Sequence, residues 1–416
     1  MTSPPFRWRH RPWVAWLAVV VLAASAWPGS TLRARDGVRA LWVVRTTLVS
    51  AAAIAAMVSA ADAAGFNTLL VQVRGRGDAY YADGLEPRPQ ALADQPAFDP
   101  LAETIARAHA AGLQVHAWVN VNLVSSAVDL PAAHDHVVYR HPEWLMVPRS
   151  LAAELAEVEP TSPEYVDRLA RFFRGQLSTL EGLYVSPVAP AAAEYAARIV
   201  GDIARRYAVD GIHLDYVRYP SRDFDYSRAA LDAFRQHVAG DLTPEERAQY
   251  DSRLAAEPLI YTDALADRWH EFRSRQLTRL VARVREAVKA VRPAAVMSAA
   301  VFPDPDEAAE RRLQDWRGWL AQGLLDIVCP MAYTTDADVF ASQVAAARAI
   351  AGTGRLWAGI GAFRLASPEI AANVRTAQRL GAGGVVLFSY DSLAAPDRGP
   401  SYLLEVGRAA FNRAGL

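Results

Sequence analysis

The chain has 416 residues, one cysteine and nearly balanced charge, with 44 Lys+Arg against 45 Asp+Glu. The balance excludes the long-range field that nucleic acid or an acidic membrane surface requires, and the lone Cys329 excludes a disulfide scaffold and a cysteine-rich metal site. Hydrophobic residues make up 52% of the chain, and the length suits either two or three average domains or one α/β barrel.

The first element is a leader. RWRHRP is basic, WVAWLAVVVLAASA is apolar and uncharged, and the run ends in Ala24-Ser25-Ala26. These are the parts of a Sec signal peptide, residues 1–26. The alternative is an uncleaved N-terminal anchor, although a run of about 15 residues falls short of the ~20 that span a bilayer. Both readings put the rest of the chain outside the cytoplasm, secreted or periplasmic. Neither adds any further integral membrane domain.

Eight short runs rich in Val, Leu and Ile follow: RALWVVRTTL (39–48), TLLVQVR (68–74), QVHAWVNVNLV (114–124), GIHLDYVRY (211–219), AVMSAAVF (295–302), LDIVCPMAY (325–333), LWAGIGAF (356–363) and GGVVLFSY (383–390). Near-continuous apolar strands are what a parallel sheet covered on both faces requires. Helical patterns separate them. FDPLAETIARAHAAG places Leu101, Ile105 and Ala108 on one face and stops at Gly112. The segment 264–291 repeats apolar residues from Leu265 to Val291, with its arginines largely on a solvated face. SPEIAANVRTAQRLG carries a Ser367 cap, Pro368 in the first turn and a Gly381 stop. This order predicts an α/β fold, a (β/α)8 TIM barrel. It forms one domain over residues 36–416, with long insertions after strand 3 (about 125–190) and strand 4 (about 220–262).

In such a barrel, chemistry gathers where the strands end. Strand 1 ends near Arg45. Strand 2 ends at Gln72, Arg74 and Asp78, with Tyr80 and Glu86 in the loop beyond. Strand 3 offers His116, Trp118 and Asn120, and strand 4 offers His213, Asp215, Tyr216 and Arg218. Strand 5 runs into Asp304, strand 6 brings Met331 and Tyr333, and strand 8 brings Tyr390 and Asp391. Aromatic faces stack on sugar rings, while amides, arginines and carboxylates bond hydroxyls, so the mixture suits a polysaccharide substrate. Hydrolysis of a glycosidic bond needs a proton donor and a second carboxylate or equivalent.

Asp215 is the sharpest candidate, because an acid inside an apolar strand is costly unless it is paired or faces a pocket. The competing reading is a structural pair with Arg74 or Arg218. His213 shares its face, as does Val217 if the strand continues. His213 is read equally as a core histidine. The second acid must come from another strand end. Among Glu86, Asp304 and Asp391, the choice falls on Asp304. No cofactor and no metal are expected. There is no HExxH, P-loop, GxSxG or GxGxxG, and HDH (134–136), beside His141, is read as a surface loop.

VQVRGRGDAYY (71–81) contains an RGD tripeptide. An adhesive loop and a phosphate cradle are both conceivable, but the glycines do not open a helix, as phosphate binding requires. The plainer reading is a strand end and a rim turn, with Asp78, Tyr80 and Tyr81 as sugar contacts.

The stretches RALWVVRTTL, GFNTLLVQVRGRGDAYYADGLEP, FDPLAETIARAHAAGLQVHAWVNVNLV, VDGIHLDYVRYP, LLDIVCPMAY and GGVVLFSYDSL resemble, in order over most of residues 38–393, the glycosyl-hydrolase-like family 10, formerly domain of unknown function 187. The resemblance implies a secreted bacterial TIM-barrel glycoside hydrolase acting on bacterial polysaccharide, in some members the glycan strands of peptidoglycan. It implies Asp215 in the active site, with Gln72, Arg74, Asp78, Asn120 and Tyr333 nearby. Two departures stand out. Ser186 occupies the place of an Asp in the family's D-P-x-x-P turn. Against the similar family 18 chitinase signature, D-G-x-D-x-D-x-E, His213 replaces the middle Asp and Val217 replaces the proton-donating Glu. A non-catalytic glycan-binding barrel of the cell envelope is therefore the alternative.

Overall fold

The computed structural model describes residues 1–2 and 37–411. Apart from residues 1–2, the predicted leader lies outside the described residues. Residues 37–411 form a closed barrel of eight parallel strands in sequence order. The strands are β1 Val38–Val43, β2 Thr68–Arg74, β3 Gln114–Asn120, β4 Gly211–Asp215, β5 Val296–Val301, β6 Ile327–Ala332, β7 Trp357–Ile360 and β8 Gly384–Phe388. Seven predicted runs contain their strands, β1 begins one residue ahead of its run at Val38, and β1 pairs with β8 to close the ring. Among the described residues no helix is long and apolar enough to cross a membrane.

Alternation along the strands sorts the side chains. Leu41, Val43, Leu69, Val71, Val115, Ile212 and Leu214 face the helices and build the main core. Ala40, Trp42, Leu70, Trp118, Cys329, Trp357 and Val386 fill the barrel interior. The helices form where their apolar faces predict. Pro100–Ala110 is capped by Asp99, whose carboxylate accepts from the Ala102 amide, and it buries Leu101, Ile105 and Ala108. Ala266–Val291 buries Trp269, Phe272, Leu280, Val284 and Val288, but Val291, its last residue, is exposed.

Two expectations need correction. Ser367 is the first helical residue and not the cap. Ala366 holds the cap position, and Glu369 reaches back to its amide at 2.7 Å. Strand 4 stops at Asp215, because Tyr216 turns into the left-handed region with φ +48°. Val217 therefore does not extend the His213–Asp215 row. A bulky residue in that conformation carries strain, which such residues retain mainly at functional sites.

Both insertions leave from the C-terminal ends of their strands. The first carries helix Pro163–Arg174, and its end pairs antiparallel with the segment just beyond β3, Tyr184 with Leu123, and with its own start, Val185 with Leu145. The second carries helices Arg228–Val238 and Pro244–Arg253. It builds a small core of its own, with Phe234, Val238 and Tyr261 packed on Trp269 and Phe272.

Candidate active site

The site grows from the ends of β2, β3 and β4. Asp215 is the last residue of β4 and is buried, 7% exposed. Its Oδ1 accepts from the Tyr216 amide at 2.6 Å and from Arg218 Nη1 at 3.4 Å. The other end of the same guanidinium, Nη2, donates to Glu181 Oε1 at 3.3 Å, and the Tyr184 hydroxyl donates to Glu181 Oε2 at 2.8 Å. One arginine thus bridges two carboxyls, and its plane stacks on Tyr216 at 4.0 Å.

The two acids are pushed in opposite directions. Burial raises the Asp215 carboxyl above the usual range, outweighing Arg218, the Tyr216 amide and the Trp118 indole. Burial also acts upward on Glu181, but there Arg218 and Tyr184 prevail and hold it below the usual range. Glu181 is the residue that sequence reasoning missed. It lies in the insertion, far from any predicted strand end. The Leu123–Tyr184 bridge, with backbone bonds from Val124 to Leu183 and from Ala127 to Glu181, brings it beside Arg218. The legible hint was an acid in an insertion already assigned to the mouth.

The predicted second acids have other work. Asp304 is exposed, and its Oδ1 accepts from the amides of Asp306 and Glu307, so it caps helix Pro305–Arg312. No hydrogen bond or ion pair joins it to Asp215 or Arg218. Glu86 is engaged by Arg74 through both oxygens, at 2.6 Å each, in a fully buried pair. Arg74 also donates to the carbonyls of Asn120 and Val121. Asp391 closes the seam between β8 and β1. It accepts from the Val44 amide at 2.8 Å and from the hydroxyls of Thr46 and Thr47. Tyr390, beside it, packs on the outer core.

Both histidines of the interior are structural. Trp42 Nε1 donates to His213 Nε2 at 3.0 Å, so the neutral ring carries its proton on Nδ1 and gives it to Ser298 Oγ at 2.9 Å. Burial, with His116 nearby, holds His213 well below its ordinary pKa. His116 lies deeper, against Trp357, and burial lowers it to about 4.

A polar chain supports the mouth. Arg45 Nη1 donates to Gln72 Oε1 at 3.0 Å, and Gln72 Nε2 donates to Asn120 Oδ1 at 3.4 Å. Trp118 Nε1 donates to the same oxygen at 3.0 Å, and Asn120 Nδ2 donates to the Gly75 carbonyl at 2.8 Å. Tyr80, beside Arg45, has its hydroxyl pushed up to about 12, by burial first and Asp78 second.

The RGRGD stretch is the turn that this chain holds. Asp78 Oδ1 accepts from the amides of Gly75 and Arg76, at 3.1 and 2.8 Å. A Cβ on Gly75 would enter the Arg45 side chain. One on Gly77, where φ is +71°, would lie 2.6 Å from His136 Nε2. His136 of the HDH segment is buried, and its Nε2 donates to the Arg76 carbonyl at 2.7 Å while Nδ1 accepts from Val138. Among the described residues no cluster of His, Cys, Asp and Glu fits a metal.

An aromatic cluster forms around Tyr333, near Asp215. Tyr333 meets Trp42 edge-on at 6.3 Å and Phe363 at 6.0 Å, and Phe388 packs at 5.6 Å from it. Burial and the nearness of Asp215 raise the Tyr333 hydroxyl well above its ordinary value. Phe363, 37% exposed, is a second residue that sequence reasoning passed over, as the apolar end of strand 7. Met331 lines the end of β6, half-buried. Ser186 stands against the buried Asp225, whose ionised form its hydroxyl favours. An Asp at 186 would crowd two carboxylates there.

The profile of the family described as glycosyl hydrolase-like 10 matches residues 37–352. The chain belongs to this family. It is 22% identical over 290 residues to glycosyl hydrolase YngK of Bacillus subtilis, covering 65% of this chain and 46% of that protein. It is 24% identical over 288 residues to glycosyl hydrolase DigH of Escherichia coli K12, covering 65% and 55%. The chain thus spans about half the length of these relatives. Among solved structures, the PgaB (BpsB) glycoside hydrolase domain from Bordetella bronchiseptica shares the fold, with TM-score 0.59, 15% identity and coverage of 88% and 98%. The catalytic domain of β-amylase from Paenibacillus polymyxa does so with TM-score 0.58, 11% identity and coverage of 90% and 98%.

Proposed function

We propose that this protein is a glycoside hydrolase of the bacterial cell envelope, cleaving bacterial polysaccharide, with the glycan strands of peptidoglycan as substrate. The observation that carries the reading is the pair of carboxyls bridged by Arg218 at the end of β4. Environments that separate two acids assign their roles. Asp215, raised, holds the proton that the leaving glycosidic oxygen needs. Glu181, lowered, is the carboxylate that takes a proton from water or stabilises the developing oxocarbenium charge. Tyr333 and Phe363 offer faces for sugar rings, and the apolar leader directs the barrel outward.

The test is digestion of denuded glycan strands, with products read by mass spectrometry. The wild type should release oligosaccharides over time, and Asp215→Asn should release none while its circular dichroism is unchanged. A buried guanidinium neutralising two acids also suits a barrel that binds glycan without cutting it. Glycan retention by the wild type without new reducing ends would establish that second reading and remove the first.

A further inference from the structure

A cleft of ≈ 620 Å³ adjoins the acid pair. Phe172, Gln176, Thr179 and Leu180 line it from the first insertion, Ser221 from the loop after β4, and Arg312 from the end of helix Pro305–Arg312 after β5. The acids do not line the cleft themselves, but Leu180, which does, directly precedes Glu181. Arg312 and Arg218 also stack on the same ring, Phe302, at 4.9 and 5.3 Å.

Arg312 is the unusual lining residue. The other arginine there, Arg149, is held by both oxygens of Asp263, at 2.7 and 3.0 Å. The half-buried guanidinium of Arg312 has no hydrogen bond or ion pair to any described residue, only the Phe302 face. Arg218 and Glu181 are its nearest charged company, with Glu307 on its own helix. Asp223 also lines the cleft, but it is exposed and solvated, and a charge counts for more where water is scarce. A guanidinium stacked on one face keeps its edge open for a planar anion.

We propose that the Arg312 cleft is a subsite for a carboxylate-bearing sugar unit, flanking the unit held at Asp215 and Glu181. The anion would meet the Arg312 edge, while Gln176, Thr179 and Ser221 meet hydroxyls and Phe172 meets the sugar face. The proposal rests on the glycosidase reading of the neighbouring acids.

The test measures binding and cleavage separately. Calorimetry in the Asp215→Asn background compares a denuded glycan oligosaccharide with the same compound after its carboxylates are converted to methyl amides. Arg312→Gln should weaken the acidic ligand by about tenfold or more and leave the amidated one unchanged. Arg312→Lys should retain much of the difference. Equal loss on both ligands, or no loss on the acidic one, overturns the subsite. If the wild type cleaves neither compound but the charge discrimination persists, the glycosidase reading fails and the subsite stands.

Discussion

Arg74 at the end of β2 and Arg218 just beyond β4 are both buried guanidiniums facing carboxylates, yet their surroundings differ. Arg74 meets Glu86 through two bonds of 2.6 Å, with side-chain exposures of 3% and 0%, and it spends its remaining donors on backbone carbonyls. Nothing in that pair is left for a ligand. Arg218 divides itself between Asp215 and Glu181 at longer distances, 3.4 and 3.3 Å, and Glu181 keeps 36% of its side chain exposed. The contrast shows how a barrel mouth separates architecture from chemistry. A pair with every donor and acceptor satisfied holds the loop after β2 in place. A looser cluster, strained at Tyr216 and open on one side, has bonding capacity left.

The comparison breaks most sharply at Glu86. Glu86→Gln leaves Arg74 buried without its counter-charge and should cost about 3–5 kcal/mol of stability, read from chemical denaturation. If the loss is under about 1 kcal/mol, the closed pair is not what holds that loop. Glu181→Gln should do the reverse. It should lower turnover of glycan strands by about a hundredfold, as for loss of a general base, with the unfolding midpoint nearly unmoved. Stability loss without turnover loss at that position would make the Arg218 cluster a second structural pair.

The smallest effect concerns pH. Burial lowers the pKa of His116, His136 and His213, so in the folded protein they stay neutral where the unfolded chain takes up protons. The unfolded state therefore binds more protons below about pH 6.5, and stability present above that value is lost as pH falls toward 4. Asp215 and Asp225, raised by burial, oppose this only at the acid end, since their contribution is largest at low pH and fades as pH rises. Unfolding free energy should thus fall by roughly 1 kcal/mol or more per pH unit between pH 6 and 5. A flat profile there would mean that the three rings are not held neutral. Turnover has its own profile. It should decline as pH rises through the raised Asp215 and as pH falls through the lowered Glu181.

The eight strands were legible because a parallel barrel buries both faces of each strand, and continuous Val, Leu and Ile runs record that directly. Asp215 was legible for the same reason, as a charge set in such a run. The glycines of RGRGD announced a turn. Which neighbours forbid a side chain there, Arg45 and His136, is decided by packing between segments far apart in sequence. The roles of Asp304, Glu86 and Asp391 depend on which donors surround each carboxylate, and an acid at a strand end looks alike whether it caps a helix, closes a seam or faces a substrate. By itself, then, the sequence determined the barrel and set Asp215 at the end of a buried strand. Hydrophobic periodicity is local, and each strand reports its own burial. Only the tertiary structure set Glu181 across Arg218 from Asp215 and left Arg312 without a hydrogen-bond partner among the described residues, because both facts are made by segments far apart in sequence that meet after the barrel has closed.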